Sequence, residues 1–331
     1  MTMTVGAQTQ VNTATIGYQY NPLIVGLEGG GWVVTWGDGD EPFSSGIFQQ
    51  VYDADGNPLS STDLGVNTYV TYDQRDQRIT ALDGGGWVIT WTSYKQDGHY
   101  DGIYQRLYDA DGTPASIAEQ LVNTSTARYE MSSTVVALAG GGWVVTWVSS
   151  DYDIATNIGY MQAFNASGNA VGGEQAISTI TNVNFDGVKV AALSDGGWVA
   201  AWSNPDAYNP SSIFLQRFDR HGAALATEEE QVSTTMGGAV TDVISLSGGG
   251  YVVTWSQPNP VMGPSTNTIY RAYDANGQPL AVADARLSSA TYSTEADIAA
   301  LPDGGWVATW TEGSQGNYTV NQQVYRADGT T

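Results

Sequence analysis

The sequence contains no cysteine and only two histidines, and its 11 Lys and Arg residues stand against 34 Asp and Glu residues. The missing thiols exclude disulfide bonds and thiolate chemistry. The net charge of −23 repels nucleic acid phosphates and anionic membrane surfaces, so neither is expected as a partner. No window approaches 18 uninterrupted apolar residues, so membrane insertion is not expected either.

What the sequence does have is one octapeptide that occurs six times with small changes. It reads GGGWVVTW at residues 29–36 and again at 140–147. The first aromatic residue of each copy is at Trp32, Trp87, Trp143, Trp198, Tyr251 and Trp306. This spacing of 53 to 56 residues defines six units that account for the whole chain. We therefore expect residues 1–331 to form a single domain built as a repeat array.

Each unit contains four short runs rich in β-branched and aromatic residues, bounded by glycine, aspartate and asparagine. In the second unit these runs are RITAL, GWVITW, GIYQRLY and AEQLVNT, which indicate four antiparallel strands. Short turns of the type DGGG and DADG join the first strand to the second and the third to the fourth. The two other connections vary from unit to unit, and we expect them to share one face of the molecule.

Six such units predict an all-β fold, a six-bladed β-propeller with four antiparallel strands per blade. A parallel β-helix is the alternative, but its repeats are shorter. The sequence stops after a third strand, and its first residues, VGAQTQVNT, are similar to the fourth-strand sequence AEQLVNT at 118–124. We therefore expect the N-terminal strand to complete the last blade and close the ring.

Two recurring patterns invite a functional interpretation but favour a structural one. Aromatic pairs four residues apart, such as Trp87 and Trp91, place both rings on one face of a strand in every unit, which indicates core packing rather than a sugar platform. The DADG sequences at 53–56 and 109–112 resemble half of a calcium loop. Their carboxylates are replaced in other units, so a hairpin turn is the favoured interpretation.

The variable loops combine aromatic rings with charged and polar side chains, and this combination holds sugars by stacking and by hydrogen bonds to hydroxyls. The candidate ligand-binding residues are Tyr18, Tyr20, Tyr72, Asp73, Arg75, Tyr94, His99, Tyr100, Tyr129, Glu130, Tyr152, Tyr208, Tyr292 and Tyr318. The alternative is that these tyrosines only pack the loops onto the sheets. No motif of a nucleophilic or metal-dependent hydrolase occurs, so no catalytic residue is assigned.

Carboxylates near the starts of the first strands are candidate calcium ligands, because calcium prefers hard oxygen ligands. In a closed ring, five of them would converge with Asn21 near the axis. These five are Asp76, Asp186, Asp242, Glu295 and Asp297, and Asp38 with Asp40 form a separate candidate pair. The alternative is that all of these carboxylates are solvated and titrate independently.

The combined pattern of LxGGGWVVTW, GIYQQxYDADGxP and xQVNT resembles the propeller-type tandem repeats of large secreted bacterial RTX, hemolysin-type calcium-binding adhesins. The resemblance implies export, adhesion or ligand binding, and calcium. The nonapeptide calcium repeat of that class is absent here. The first residues have neither a basic stretch nor an apolar core, so we expect a secreted or cell-surface protein without a visible N-terminal signal peptide.

Six near-equivalent units with little variety of ionisable groups favour a binding module over an enzyme. We expect an extracellular, lectin-like or adhesive module that binds a glycan or cell-surface polysaccharide through its variable loops. Two alternatives stay open: a polysaccharide-processing enzyme that uses carboxylates of the variable loops, and a purely structural repeat domain of an adhesin.

Overall fold

The computed structural model describes residues 8–41, 44–151, 156–179, 188–206, 209–234, 238–258, 266–281, 283–287, 293–314 and 317–331. Within these residues every regular element is a β-strand. The strands form six antiparallel sheets, one for each sequence unit. The prediction of an all-β fold made of six repeated antiparallel sheets is therefore confirmed. No helix of the described chain is long and apolar enough to cross a membrane.

The chain divides into two compact units, Met1–Val122 and Asn123–Thr331, here called unit 1 and unit 2. Unit 1 contains two sheets, in which consecutive strands are neighbours. Its strands are β1 (Tyr18–Gly26), β2 (Trp32–Glu41), β3 (Ser44–Tyr52) and β4 (Leu64–Gly65) in sheet 1, and β5 (Gln74–Ala81), β6 (Trp87–Tyr94), β7 (Asp101–Tyr108) and β8 (Gln120–Leu121) in sheet 2.

Unit 2 contains the other four sheets, again with consecutive strands as neighbours. Sheets 3 and 4 consist of β9 (Tyr129–Ala137), β10 (Trp143–Asp151), β11 (Thr156–Phe164), β12 (Ala170–Ala176), β13 (Val188–Ala192), β14 (Trp198–Asp206), β15 (Asn209–Phe218) and β16 (Glu230–Gln231). Sheets 5 and 6 consist of β17 (Val240–Ser245), β18 (Tyr251–Pro258), β19 (Thr266–Tyr273), β20 (Ala285–Arg286), β21 (Ser293–Ala300), β22 (Trp306–Ser314) and β23 (Asn317–Tyr325).

Sheet 6 has three strands in the part of the chain that the structure describes. The strand predicted for the N-terminal residues begins outside the described residues, and residues 8–13 are not in a strand. Closure of a ring by this segment, and a single domain over residues 1–331, both stay predictions.

The two short connections of each sequence unit are tight turns. In the first DGGG-type turn, the Gly30 nitrogen donates to the Leu27 oxygen at 3.0 Å, and Gly30 has a φ of +90°, which glycine adopts without strain. In the first DADG turn, the carboxylate of Asp53 accepts hydrogen bonds from the backbone nitrogens of Asp55 and Asn57, at 3.0 and 2.8 Å. This carboxylate holds a hairpin together, which confirms the hairpin interpretation.

The recurring aromatic residues form the core, as predicted. Both Trp87 and Trp91 are completely buried. The Trp87 ring stacks on Tyr108 of the third strand, with ring centroids 5.3 Å apart, and it belongs to the same apolar cluster as Val33 and Ile47 of the preceding sheet. Such a ring buries enough apolar area that truncation to alanine is expected to cost about 3–5 kcal/mol. The octapeptide recurs because every sheet needs these rings to pack.

The fourth strands of sheets 1, 2, 4 and 5 are shorter than the sequence predicted, with two residues each, whereas β12 of sheet 3 has seven. Strand β8 contains only two residues, Gln120–Leu121, where a strand was expected over 118–124. In sheet 1 the reason is visible at Asn67, whose side-chain oxygen accepts the hydrogen bond of the Ile47 nitrogen at 2.7 Å. The side chain takes the place of the next backbone acceptor, and the ladder ends there.

A contact between a threonine and a carboxylate about 50 residues further along the chain recurs in both units. The Thr68 nitrogen donates to Glu119 at 3.1 Å, and in unit 2 the Thr124 hydroxyl donates to Glu174 at 2.9 Å. The same contact recurs in the pairs Thr13–Asp63, Thr179–Glu229 and Thr234–Asp284. Four of these carboxylates, Asp63, Glu119, Glu174 and Glu229, precede the threonine of their own unit by five residues, and Ser289 takes that place after Asp284, so these contacts are part of the repeat.

Candidate functional site

In each sheet, the first strand begins where the second strand ends, and we call this the loop end of the sheet. Near it the first strands of sheets 1, 2, 3, 5 and 6 carry a bulge. The register shifts between Tyr20 and Leu23 in sheet 1 and between Arg75 and Arg78 in sheet 2. Bulges of this kind re-aim side chains and are frequent beside functional sites.

Two polar residues in these bulges adopt a left-handed backbone conformation. Asn21 has a φ of 50° and Asp76 a φ of 57°, values uncommon for residues other than glycine. The amide nitrogen of Gln77 donates to the Asn21 carbonyl at 2.6 Å. This hydrogen bond links the two bulges of unit 1.

The loop end of sheet 1 presents two tyrosine rings. Tyr18 and Tyr20 stack with ring centroids 5.7 Å apart and an angle of 22° between their planes. Tyr18 is 71% exposed. The structure thus brings together two of the predicted ligand-binding residues in an arrangement that can stack on a sugar.

The loop end of sheet 2 combines two further predicted tyrosines with a cation. The rings of Tyr72 and Tyr94 meet edge to face at 5.8 Å. The ammonium of Lys95 lies 4.9 Å from the Tyr94 ring centroid and 5.6 Å from that of Tyr72. These are distances at which a cation is attracted to the ring face.

Arg75, another predicted ligand-binding residue, is engaged by carboxylates of its own sheet. Its guanidinium contacts Asp101 at 2.8 Å and Asp76 at 3.7 Å. Burial raises the pKa of Asp101, and the charge of Arg75 acts against this effect. Asp73 lies beside this group and is within 3.5 Å of the Ser45 hydroxyl. The side chain of Arg75 is therefore a structural link more than a free ligand donor.

His99 and Tyr100 lie at the tip of the loop between β6 and β7. Both side chains are exposed. The His99 nitrogen donates to Asp97 at 3.0 Å, and the Tyr100 carbonyl accepts from the Lys95 nitrogen at 2.6 Å. These contacts hold the loop by its backbone, and the two rings stay at its surface.

Glu130 of unit 2 is a carboxylic acid in a buried position. It lies on β9 at the loop end of sheet 3 and is 1% exposed. One carboxyl oxygen accepts a hydrogen bond from the Ser149 hydroxyl at 3.0 Å, whereas the other is buried and has no partner among the described residues. Burial is the main cause that raises the pKa of Glu130 to about 7, and the charge of Glu174 adds to it. The Ser149 hydrogen bond and the nearby Trp147 indole have smaller, opposite effects.

Three other polar residues lie near Glu130 in sheet 3. Tyr129 precedes it on β9 and is partly buried. The charge of Arg128 lowers the pKa of Glu130 slightly, and the same guanidinium is 3.7 Å from the carboxylate of Asp151 at the end of β10. Sheet 3 thus places a buried acid and a partly exposed carboxylate around one arginine.

The remaining candidate residues with described side chains are Tyr318, Asp38, Asp242 and Asp297. Tyr318 is 55% exposed on β23. Asp38 is buried on β2 and accepts a hydrogen bond from Gln19 at 3.2 Å. Burial raises the pKa of Asp242, and the negative charge of Asp297 raises it further, whereas the positive charge of Lys189 lowers it. These three groups of unit 2 therefore interact electrostatically.

Several sequence predictions fall on parts of the chain outside this description. Tyr152, Tyr208, Tyr292 and Asp186 lie outside the described residues. Asp40 and Glu295 are in strands β2 and β21, but their side chains are not described. Among the side chains that are, no group of three or more His, Asp or Glu could hold a metal ion. The calcium site stays a prediction.

Sequence reasoning missed the surroundings of these residues. It did not assign Lys95, Asp101, Ser149 or Arg128, and it named Glu130 as a ligand-binding residue and, beside Asp76, as a loop carboxylate that an enzyme could use. A signal for Glu130 was present, because aligned repeats place it where the first two units have Gln19 and Gln74. A carboxylic acid at a buried amide position is a reason to expect a perturbed pKa.

No protein-family model matches the chain, and no curated protein matches it. Solved structures do. An α-L-arabinanase of Penicillium chrysogenum complexed with arabinobiose is 14% identical with a TM-score of 0.55, over 95% of this chain and 94% of that chain. The GH93 α-L-arabinofuranosidase of Fusarium graminearum with arabinobiose is 13% identical with a TM-score of 0.53, over 94% and 93%. A Dyadobacter fermentans protein of unknown function is 10% identical with a TM-score of 0.54, over 95% and 96%.

These similarities show the fold alone, an all-β arrangement of six antiparallel sheets that is similar to these propeller-like structures. The resemblance to RTX, hemolysin-type adhesins is wrong, because the solved structures reported above include a protein named as an arabinanase and one named as an arabinofuranosidase, and none is named as a calcium-binding repeat protein. The octapeptide that carried the resemblance consists of the turn and the buried rings that every sheet needs. It reports how a sheet packs and not which family the chain belongs to.

Proposed function

We propose that the protein processes a polysaccharide by hydrolysis, with Glu130 as the proton donor. The observation that carries this proposal is the carboxyl group of Glu130, which is buried at the loop end of sheet 3, accepts a hydrogen bond from Ser149, and has a pKa raised by burial to about 7. An acid with this pKa is partly protonated at neutral pH and can give its proton to a leaving group. An ordinary exposed glutamate would be ionised there.

Glycoside hydrolysis needs a second carboxylate that acts as base or nucleophile. Asp151 fits this role best in sheet 3, because it lies at the loop end of the same sheet and its charge is held by Arg128 at 3.7 Å. In this scheme the proton of Glu130 passes to the glycosidic oxygen as the bond to the anomeric carbon breaks. The Asp151 carboxylate then stabilises the positive charge that develops on the sugar or activates the attacking water.

The comparisons support the choice of substrate class. Two of the matching structures are named as an arabinanase and an arabinofuranosidase and hold arabinobiose. A neutral plant-type polysaccharide such as arabinan is therefore the first substrate to test. Polymers of this kind do not cross membranes, so we also propose that the protein acts outside the cell or at its surface.

A second candidate function is a binding module without hydrolysis. The exposed Tyr18 of sheet 1 and the pair Tyr72 and Tyr94 of sheet 2 favour it, because aromatic surfaces alone can hold a glycan. Both candidates predict polysaccharide binding by the wild-type protein. Only the first predicts cleavage.

The test is release of new reducing ends from linear arabinan, galactan and xylan by the wild-type protein and by Glu130→Gln. We expect cleavage of at least one polymer by the wild type and a loss of about a thousandfold or more in the variant, since an amide cannot donate a proton to the leaving group. The fold is expected to tolerate the change, because unit 1 has Gln74 at the same position.

Asp151→Asn provides the second arm and should also abolish cleavage. Glu228→Gln, on an exposed loop of unit 2, is the matched control and should cleave like the wild type. If the wild type binds these polymers but releases no ends from any of them, the hydrolase proposal fails and the binding module is the better account.

A further inference from the structure

The Tyr20 ring of sheet 1 lies against Gly37 and Gly39 of the neighbouring strand, and the Tyr18 ring stacks on it. Tyr20 is paired in register with Gly37, and Tyr18 with Gly39. A methyl group added to Gly37 would lie 2.6 Å from the Tyr20 ring, which is too close for any side chain. The Tyr20 ring therefore occupies the space that a side chain at position 37 would fill. We call Tyr18, Tyr20, Gly37 and Gly39 the tyrosine ledge.

The ledge is a departure from the repeat. The residue after the second tryptophan of the octapeptide is glycine only in the first unit, and it is Thr92, Val148, Ser203, Ser256 and Thr311 in the others. In sheet 2 the pair that corresponds to Tyr20 and Gly37 is Arg75 and Thr92. In sheet 3 the same pair is Met131 and Val148. Sheet 1 thus differs from sheets 2 and 3 at both members of a pair of residues that face each other on neighbouring strands.

Packing explains only half of the ledge. Glycine weakens a strand, and an aromatic ring across from it restores cover, so Tyr20 over Gly37 has a structural reason. Tyr18 has no such structural reason, since its side chain is 71% exposed and its ring stacks on that of Tyr20. The residue between them is well held, because the Gln19 amide donates to the Ile16 carbonyl at 3.1 Å and to the buried Asp38 at 3.2 Å.

We propose that the tyrosine ledge is a stacking subsite for a neutral sugar residue of a polysaccharide. An exposed ring that is already oriented by a second ring loses little conformational freedom when a ligand stacks on it. The C–H face of a sugar ring is the apolar surface that fits such a platform. The net charge of −23 disfavours a polymer of uronic acids, which selects a neutral chain.

This inference rests on the proposed function only in taking the same polymer as ligand. Its test is a binding measurement, so it can fail or succeed separately from hydrolysis. Affinity is measured by isothermal titration of linear arabinan, a neutral polymer, and of polygalacturonate, an acidic one, into the full chain. Glu130→Gln serves as the background, which prevents cleavage during the titration.

We expect arabinan binding to weaken about tenfold in Tyr18→Ala and to be kept in Tyr18→Trp, with the melting temperature unchanged in both. Gly37→Thr introduces the residue that sheet 2 has and should displace the Tyr20 ring, with the same loss of affinity. Thr92→Gly is the matched control, because it creates the glycine in sheet 2, where Arg75 and not an aromatic ring lies opposite. It should bind like the background protein.

Unchanged arabinan binding in Tyr18→Ala would overturn the proposal, and so would the absence of arabinan binding by the background protein. Tighter binding of polygalacturonate than of arabinan would overturn the choice of a neutral sugar. If binding depends on Tyr18 while the wild type cleaves nothing, the ledge stands and the hydrolase proposal falls.

Discussion

Gln74 of unit 1 and Glu130 of unit 2 occupy the same position of the repeat, and both are buried. The amide of Gln74 is fully used, since it accepts from the Trp91 indole at 3.0 Å and donates to the Tyr72 carbonyl at 3.0 Å. The carboxyl of Glu130 accepts from Ser149, and its other oxygen has no partner among the described residues. Two nearly isosteric side chains therefore differ in character, because one is a neutral amide with both of its polar atoms bonded and the other is a titratable acid whose pKa is raised by burial.

The comparison teaches how a repeat protein acquires a site. All six units need the same turns and rings to fold, so most positions are fixed by packing. The polar position at the loop end can change without loss of the sheet, because an amide and an acid have the same shape. Chemistry therefore enters through single departures from the repeat, of which Glu130 is one and the tyrosine ledge is another.

The change with the largest expected effect makes unit 1 resemble unit 2. Gln74→Glu removes the hydrogen bond to the Tyr72 carbonyl and buries a carboxyl group in its place. At pH 8 the unfolded chain ionises this carboxyl group, whereas the folded protein must either bury its charge or keep it protonated, so we expect a loss of about 4 kcal/mol in the free energy of unfolding. At pH 4 the carboxyl group is protonated in the folded protein and the loss should be much smaller. Urea unfolding at both pH values measures it, and equal losses would show that burial of charge is not the cause.

The reverse change, Glu130→Gln, should stabilise the protein at high pH relative to the wild type. The pKa of Glu130 is raised to about 7 in the folded protein, so the folded state binds the proton more tightly than the unfolded chain. The contribution of the protonated Glu130 to the free energy of unfolding is therefore fully present at low pH and is lost as the pH rises through about 7. We expect the variant to gain about 3 kcal/mol on the wild type between pH 4 and pH 8, measured by urea unfolding. A constant difference across this range would contradict the assignment.

Glu119 should show the opposite pH dependence with a smaller amplitude. Burial raises its pKa, but hydrogen bonds from Thr68, Tyr69 and Gln96 together outweigh burial, and the pKa is lowered. Its contribution is present above the ordinary pKa of glutamate and is lost as pH falls below it. We expect Glu119→Gln to cost about 1 kcal/mol at pH 7 and almost nothing at pH 3. A cost that grows toward low pH would refute this interpretation.

Calcium is expected to have the smallest effect. In unit 2, Asp242 and Asp297 repel one another and Lys189 partly compensates them, so a bound divalent cation would relieve the repulsion. We expect a rise of a few degrees in melting temperature with millimolar free calcium, and none in Asp242→Asn with Asp297→Asn. An unchanged melting curve of the wild type would remove calcium from the account.

The sequence was sufficient for the features that packing imposes on every unit. The period, the DADG hairpins and the burial of Trp87 and Trp91 follow from strand alternation and turn chemistry, which are local. The early end of the fourth strand did not follow, because the Asn67 side chain replaces a backbone acceptor only in three dimensions. The resemblance to adhesins failed for a related reason, since it compared positions that packing alone dictates.

The candidate site was less predictable. The list of tyrosines from the variable loops contained Tyr18 and Tyr20, but the stacking of one on the other depends on glycines across the strand pair. Glu130 was named for its place in a loop, and not for its burial. Both features are found only when the six units are aligned and the surroundings of each residue that departs from the repeat are compared with those of its counterparts.

The most direct test of the central claim is a titration of the Glu130 carboxyl in the intact protein. Carbon-13 labelling of the glutamate side chains, with the Glu130→Gln spectrum to assign the signal, gives its protonation state as a function of pH. The account predicts a midpoint near pH 7, so that the acid is largely protonated at pH 6. A midpoint near 4.5, the ordinary value for glutamate, would contradict the claim that unit 2 holds a proton donor.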